Sequence, residues 1–241
     1  MTEILNLGNR VVNNWLLRLN GKTVLVDTGY PDGFAGFQKR LEQQGLKLDD
    51  IDYLFLTHAH DDHAGFVSDV LAASHARLIL HAKALPTLRR GQNDFGGGCT
   101  GRLAYLTCLL MKAAGKAEHR FPPLEDKYDD RLLTLTPENR AKLESELGVL
   151  ILDTPGHTAC SVSLLTGEGL LFCGDAAMNG FPSIGRVTIW AEDLSTFRTS
   201  WEAIIVLNPR FLYPGHGKPF PVADLQKHLD AVEKHKIYKL S

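Results

Sequence analysis

Tyr53-Leu54-Phe55-Leu56-Thr57, followed at once by His58-Ala59-His60-Asp61-Asp62-His63-Ala64-Gly65, is an apolar run that ends in a burst of ionisable side chains. The run Tyr53 to Thr57 reads as a strand buried on both faces. The block after it packs three imidazoles and two carboxylates into six consecutive positions where the strand leaves its sheet. One face of a helix collects only some of these side chains. A turn leaving a strand instead points alternate residues at one centre and their neighbours at a second. Imidazole and carboxylate are borderline ligands suited to zinc or iron, and the lack of thiolate separates the pattern from a purely structural zinc site. The plain alternative is a solvated polar loop that happens to be rich in histidine.

Outward from this block, the same arrangement recurs three times. Asp153-Thr154-Pro155-Gly156-His157-Thr158 puts a histidine just after the run Val149 to Asp153, where proline and glycine set a tight turn. Gly174-Asp175 ends the run Leu170 to Cys173, and Tyr213-Pro214-Gly215-His216-Gly217 ends Phe211 to Tyr213. A single histidine or aspartate in a turn is usually just a hydrogen-bonding residue. Four strand ends that together supply five histidines and two aspartates make one metal-binding constellation: His58, His60, Asp62, His63, His157, Asp175 and His216.

The remaining elements frame these blocks. Val11 to Leu19 and Thr23 to Asp27 flank Asn20-Gly21, which predicts an opening β-hairpin. Phe34, Phe37 and Leu41 fall at helical spacing before Gly45. A helix near Phe66 to Ala73 and a strand at Leu78 to His81 follow, and Ser161 to Leu165 turns through Gly167-Glu168-Gly169 into Leu170 to Cys173. Leu194, Phe197, Trp201 and Ile204 or Ile205 describe an amphipathic helix begun near Asp193. Between Ala82 and Leu147 lie helical patterns at Arg102 to Ala114 and Glu138 to Leu147, the second started by Thr136 and Pro137, with Gly96-Gly97-Gly98 as a loose, hinge-like run. Strands interrupted by helices imply an α+β fold with mixed sheets covered by helices. One domain over residues 1–241 is expected, with an insertion at about 82–147.

Composition narrows the function classes. With 44% hydrophobic and 22% charged residues the chain has ordinary globular makeup, and no apolar run is long enough for a bilayer. Met1 to Arg10 lacks the pattern of an export signal, so a cytoplasmic setting is expected. A net charge of −2 gives no broad positive field for nucleic acid. Cys99, Cys108, Cys160 and Cys173 have neither metal-site spacing nor the density of a disulfide scaffold.

The block His58 to His63, with its H-x-H-x-D-H pattern, the turns at His157, Asp175 and His216, and Asp27-Thr28-Gly29 as a first motif resemble the metallo-β-lactamase superfamily. The resemblance spans nearly the whole chain, with the motifs in the family's order. It implies a four-layer αββα sandwich with the site at one edge between two sheets. By the same resemblance, His58, His60 and His157 hold one metal, Asp62, His63 and His216 hold a second, and Asp175 bridges them. Asp27 supports the ligands from behind. Two divalent ions are implied, zinc by preference, with iron or manganese as alternatives.

Two such ions lower the pKa of a shared solvent molecule so that hydroxide exists near neutral pH, and they polarise the substrate oxygen. Asp62 and Asp27 are the expected catalytic carboxylates, the first as a ligand that also orients the nucleophile. The reading is a hydrolase of small-molecule esters, lactones or thioesters. Alternatives within the resemblance are a mononuclear iron dioxygenase acting on persulfides and a phosphodiesterase; a protein that binds metal without turnover is a third class. True lactamases of the family commonly carry Cys or Ser where Asp175 stands, which disfavours β-lactams. Only residues 217–241 follow the last ligand, too few for the helical domain of the glyoxalase II type, and Met178 stands where acyl-homoserine lactonases often have tyrosine. Met178, Phe181 and Ile184 are expected to line an apolar substrate wall, with Arg186 or Lys218 meeting an anionic group. A small-molecule substrate is the expected partner, with no nucleic acid and no membrane; the oligomeric state is left open.

Overall fold

Asn20 and Gly21 both take positive φ, 47° and 78°, and close a hairpin between the strands Trp15–Leu19 and Lys22–Val26. The computed structural model, which describes residues 2–115 and 118–240, resolves the chain into two compact units. The first unit comprises residues 1–93 and 120–150, the second residues 94–119 and 151–241. Of the stretch expected as one insertion, residues 94–119 thus fall to the second unit and the flanking parts to the first.

The first unit is built on a six-stranded sheet in the spatial order Ile4–Asn6, Trp15–Leu19, Lys22–Val26, Tyr53–Phe55, Arg77–Leu80 and Leu132–Thr134. The first three strands pair antiparallel and the last four run parallel. Parallel neighbours need crossovers, supplied by helices such as Phe34–Gln43 and Val67–Ala73. Phe37 and Phe66, both fully buried, lie 5.3 Å apart between ring centroids. The strand read as Tyr53 to Thr57 is shorter, Tyr53–Phe55, because Thr57 turns its N–H to a side chain instead of a neighbouring strand.

The second unit carries a five-stranded sheet in the order Phe220–Pro221, Phe211–Pro214, Leu170–Gly174, Val162–Thr166 and Val149–Asp153. The chain passes from the first unit into the second within the last of these. The helix Leu194–Leu207 buries Phe197, Trp201 and Ile204 in a cluster with Leu171, Leu212 and Leu225. The glycine run expected as a hinge, Gly96 to Gly98, lies against neighbouring backbone. Gly98–Cys99 pairs antiparallel with Trp190–Ala191, and a Cβ on Gly97 would stand 2.0 Å from the Ala191 carbonyl oxygen. Gly97 and Gly98 serve close backbone approach. Among the described residues, no helix is long and apolar enough to cross a membrane.

Candidate metal centre

The first unit presents its ionisable cluster where Tyr53–Phe55 leaves the sheet. His58 and His63 are 1% and 0% exposed, with ring centroids 4.1 Å apart, and His60 lies 4.8 Å from His58. Asp62 completes the group, its Oδ1 3.9 Å from His63 Nε2. Imidazole and carboxylate gathered this closely are the donor types a divalent cation takes.

The backbone reaches this geometry through a short helix, Asp61–Ala64, directly after the strand. Gly65 ends it in a crowded place: a Cβ there would meet the carbonyl oxygens of Gly29 and Asp61 at 2.3 and 2.4 Å. Asp27, at the end of the hairpin, lies behind the histidines. Its carboxylate accepts the Thr57 N–H and the Thr57 hydroxyl, both at 2.7 Å, and faces His63 Nδ1 at 2.8 Å. Thr57 Oγ1 also lies 3.1 Å from His58 Nδ1. A carboxylate only accepts, so Nδ1 of His63 carries the proton and Nε2 keeps its lone pair.

The second unit gathers two imidazoles about one carboxylate. His157 Nε2 lies 3.9 Å and His216 Nε2 3.7 Å from Asp175 Oδ2, with all three residues buried. Both spacings are too long for hydrogen bonds. They are short enough for each pair to reach a common ion through bonds of about 2.0–2.2 Å. His157 Nδ1 is 2.8 Å from the Trp190 carbonyl oxygen, which fixes the proton on Nδ1 and frees Nε2 to ligate. Parallel pairing of Leu170–Gly174 with Phe211–Pro214, and a Gly215 N–H to Gly174 carbonyl bond of 2.8 Å, bring Asp175 and His216 to the same sheet end. In each unit the donor set suits a divalent cation in chemistry and spacing.

The expected substrate wall divides. Met178 is 4% exposed, while Phe181 and Ile184 are 83% and 58% exposed, so the three do not form one exposed surface. Arg186 spends its guanidinium on Asp224, Nε at 2.9 Å, on Asn179, and on the face of Phe220 at 4.8 Å. It braces the segment after Asp175, where the Asn179 main-chain N–H donates to the His216 carbonyl at 3.0 Å. Sequence reading missed Thr57, Trp190 and Asn93 as supporting residues. Trp190 acts through a main-chain carbonyl, which no side-chain pattern reveals, and Asn93 lies 32 positions from its partner Asp61.

Comparison with known proteins turns on the model of the metallo-beta-lactamase superfamily, which matches residues 7–216. The chain belongs to this superfamily. Among relatives, it is 26% identical over 223 residues to the Beta-lactamase-like protein 2 homolog of Drosophila melanogaster, covering 90% of this chain and 63% of that protein. The homolog from Caenorhabditis elegans is 27% identical over 213 residues, covering 88% and 57%. The chain thus spans about 60% of the length of these two relatives. A Cronobacter sakazakii metallo-beta-lactamase HARLDQ-motif mutant superposes with a TM-score of 0.65 at 18% identity, covering 96% of this chain and 89% of that one. A metallo-beta-lactamase family protein from Thermus thermophilus gives 0.64 at 24% identity, covering 97% and 78%. The α+β class and the superfamily's fold are thereby shown.

Proposed function

We propose that this superfamily member is a dinuclear metallo-hydrolase that cleaves an ester, lactone or thioester bond of a small molecule. The observation that carries the proposal is the convergence of imidazole and carboxylate donors within each unit: His58, His60, Asp62 and His63 in the first, His157, Asp175 and His216 in the second. By the family resemblance, His58, His60 and His157 would hold one ion and Asp62, His63 and His216 the other, with Asp175 a ligand to both. Bound divalent ions supply an acidified water and a polarised substrate oxygen.

The chain's own residues do the rest. Asp27 and the Trp190 carbonyl fix the tautomers of His63 and His157 so that each offers Nε2. Asp62, a ligand on this reading, would also orient the nucleophile. Phe181 and Ile184, exposed and apolar, supply the substrate contact. A hydroxyacylglutathione hydrolase of Acidiphilium cryptum, 26% identical and 68% covered, and a thioesterase of Emericella nidulans, 28% identical, favour acyl transfer to water as the reaction class. The net charge of −2 favours a small molecule over nucleic acid. Cysteines without a disulfide among the described residues fit a cytoplasmic setting.

The test is metal analysis of the purified chain beside a panel of activated esters, lactones, thioesters and phosphodiesters, with dissolved oxygen monitored. Two divalent ions per chain and oxygen-independent hydrolysis are expected, and both His58→Ala and His157→Ala lose metal and turnover. One iron with oxygen consumption, or hydrolysis that persists in both variants, overturns the proposal.

A further inference from the structure

The short helix Asp61–Ala64 has a problem at its start. The first N–H groups of a helix lack intrahelical partners, and the residue before them normally satisfies one through a Ser, Thr, Asp or Asn side chain. Here that residue is His60, which makes no side-chain capping hydrogen bond because its imidazole turns toward His58. A single turn of four residues cannot hold its own shape.

The missing partner comes from elsewhere in the chain. Asn93 Oδ1 accepts the Asp61 N–H at 2.8 Å, and Asn93 Nδ2 donates to Asp61 Oδ1, also at 2.8 Å. Both residues are buried, 8% and 9% exposed, so these bonds are sheltered from water. Asp61 lies between His60 and Asp62 in the chain. Gripping it by main chain and side chain together fixes the torsions on which both neighbours depend.

We propose that Asn93 is a positioning residue: it caps the turn that His60 cannot cap and so sets His60 and Asp62 in register for metal binding. The inference rests on the metal-centre reading above, to which it adds a residue outside every recognised motif. The reciprocal geometry makes it testable by exchange. Asn93→Asp alone opposes two carboxylates. Adding Asp61→Asn restores both bonds, because the carboxylate now at 93 accepts the main-chain N–H with one oxygen and the new carboxamide with the other.

The experiment loads wild type, Asn93→Ala, Asn93→Asp and the Asp61→Asn/Asn93→Asp double variant with cobalt(II). It reads the visible ligand-field spectrum, the affinity against a chromophoric chelator and the melting of the metal-free form. Expected are a 10- to 100-fold weaker affinity, on the order seen for residues that orient ligands, and an altered spectrum in both single variants. The double variant recovers the spectrum and comes to within about threefold in affinity, the non-additivity of a direct contact. If Asn93→Asp does not fold, Asn93→Gln, with its carboxamide one methylene too far, shows the same spectral change. Single variants that match wild type in spectrum and affinity, or a folded double variant that recovers neither, overturn the positioning role while leaving the metal centre standing. A wild-type chain that takes up no metal overturns both.

Discussion

Asp27 combines a φ of 58° with burial to 2% exposure, a backbone state that a non-glycine residue occupies only when its surroundings hold it there. What holds it is the set of contacts from Thr57 and His63 to its carboxylate. On the proposed reading, Asp27→Ala lowers metal affinity or turnover by roughly 10- to 100-fold without removing a ligand, measured by chelator competition. An affinity within twofold of wild type would reduce Asp27 to a turn residue. The donors were legible in the sequence because each sits directly after an apolar run, where the end of a strand fixes its place. Their supports were not. Thr57 precedes His58 without distinguishing itself, the Trp190 carbonyl has no residue identity to read, and Asn93 meets Asp61 only after the chain has crossed Val67–Ala73 and Arg77–Leu80.

Elements were read best where local chemistry closes them. Thr136 and Pro137 start the helix Pro137–Leu147 as expected, with the Thr136 hydroxyl accepting the Asn139 N–H at 3.2 Å. Asp193 starts Leu194–Leu207 likewise, its carboxylate accepting the Thr196 N–H at 2.6 Å and the Ser195 hydroxyl at 2.7 Å. These bonds, the one from the Thr196 main chain foremost, hold the Asp193 carboxyl below the usual carboxylate range. A lowered folded-state pKa gives stability that is present above the unfolded value of about 3.9 and is lost as pH falls through the folded one. As the loss of an N-cap, Asp193→Ala should cost about 1 kcal/mol near neutrality. Asp193→Asn, which keeps the cap without the charge, should approach wild type as the pH drops below about 4, both followed by denaturant melts. Identical pH profiles for wild type and Asp193→Asn would remove the charge from the argument. Elements without such punctuation escaped the sequence. Ile4–Asn6 has three residues, and the edge strand Leu132–Thr134 is defined only by pairing with Arg77–Leu80, more than fifty positions earlier.

At the scale of the whole molecule, the proposed ligands are divided between two compact units that are both interrupted in sequence; the first donor set is the single block His58 to His63, while the second is drawn from three separate turns. The order of motifs made the family visible, yet no local pattern announces that residues 94–119 belong with the C-terminal part. If ions are shared as proposed, only the folded chain offers the full ligand set, and metal binding becomes folding free energy. At free metal one hundredfold above Kd, a single ion adds about 2.7 kcal/mol. For a chain of this size that corresponds to roughly 5 to 10 °C in Tm. Chelation should therefore lower Tm by at least this much, and returning zinc should restore it. His58→Ala, from the first unit, and His157→Ala, from the second, should each abolish most of the metal-dependent shift, because one ion loses a ligand in either case. Calorimetry separates the alternatives: a metal-dependent rise that survives His157→Ala intact would mean that the first unit binds its ion alone, and the shared centre would have to be abandoned.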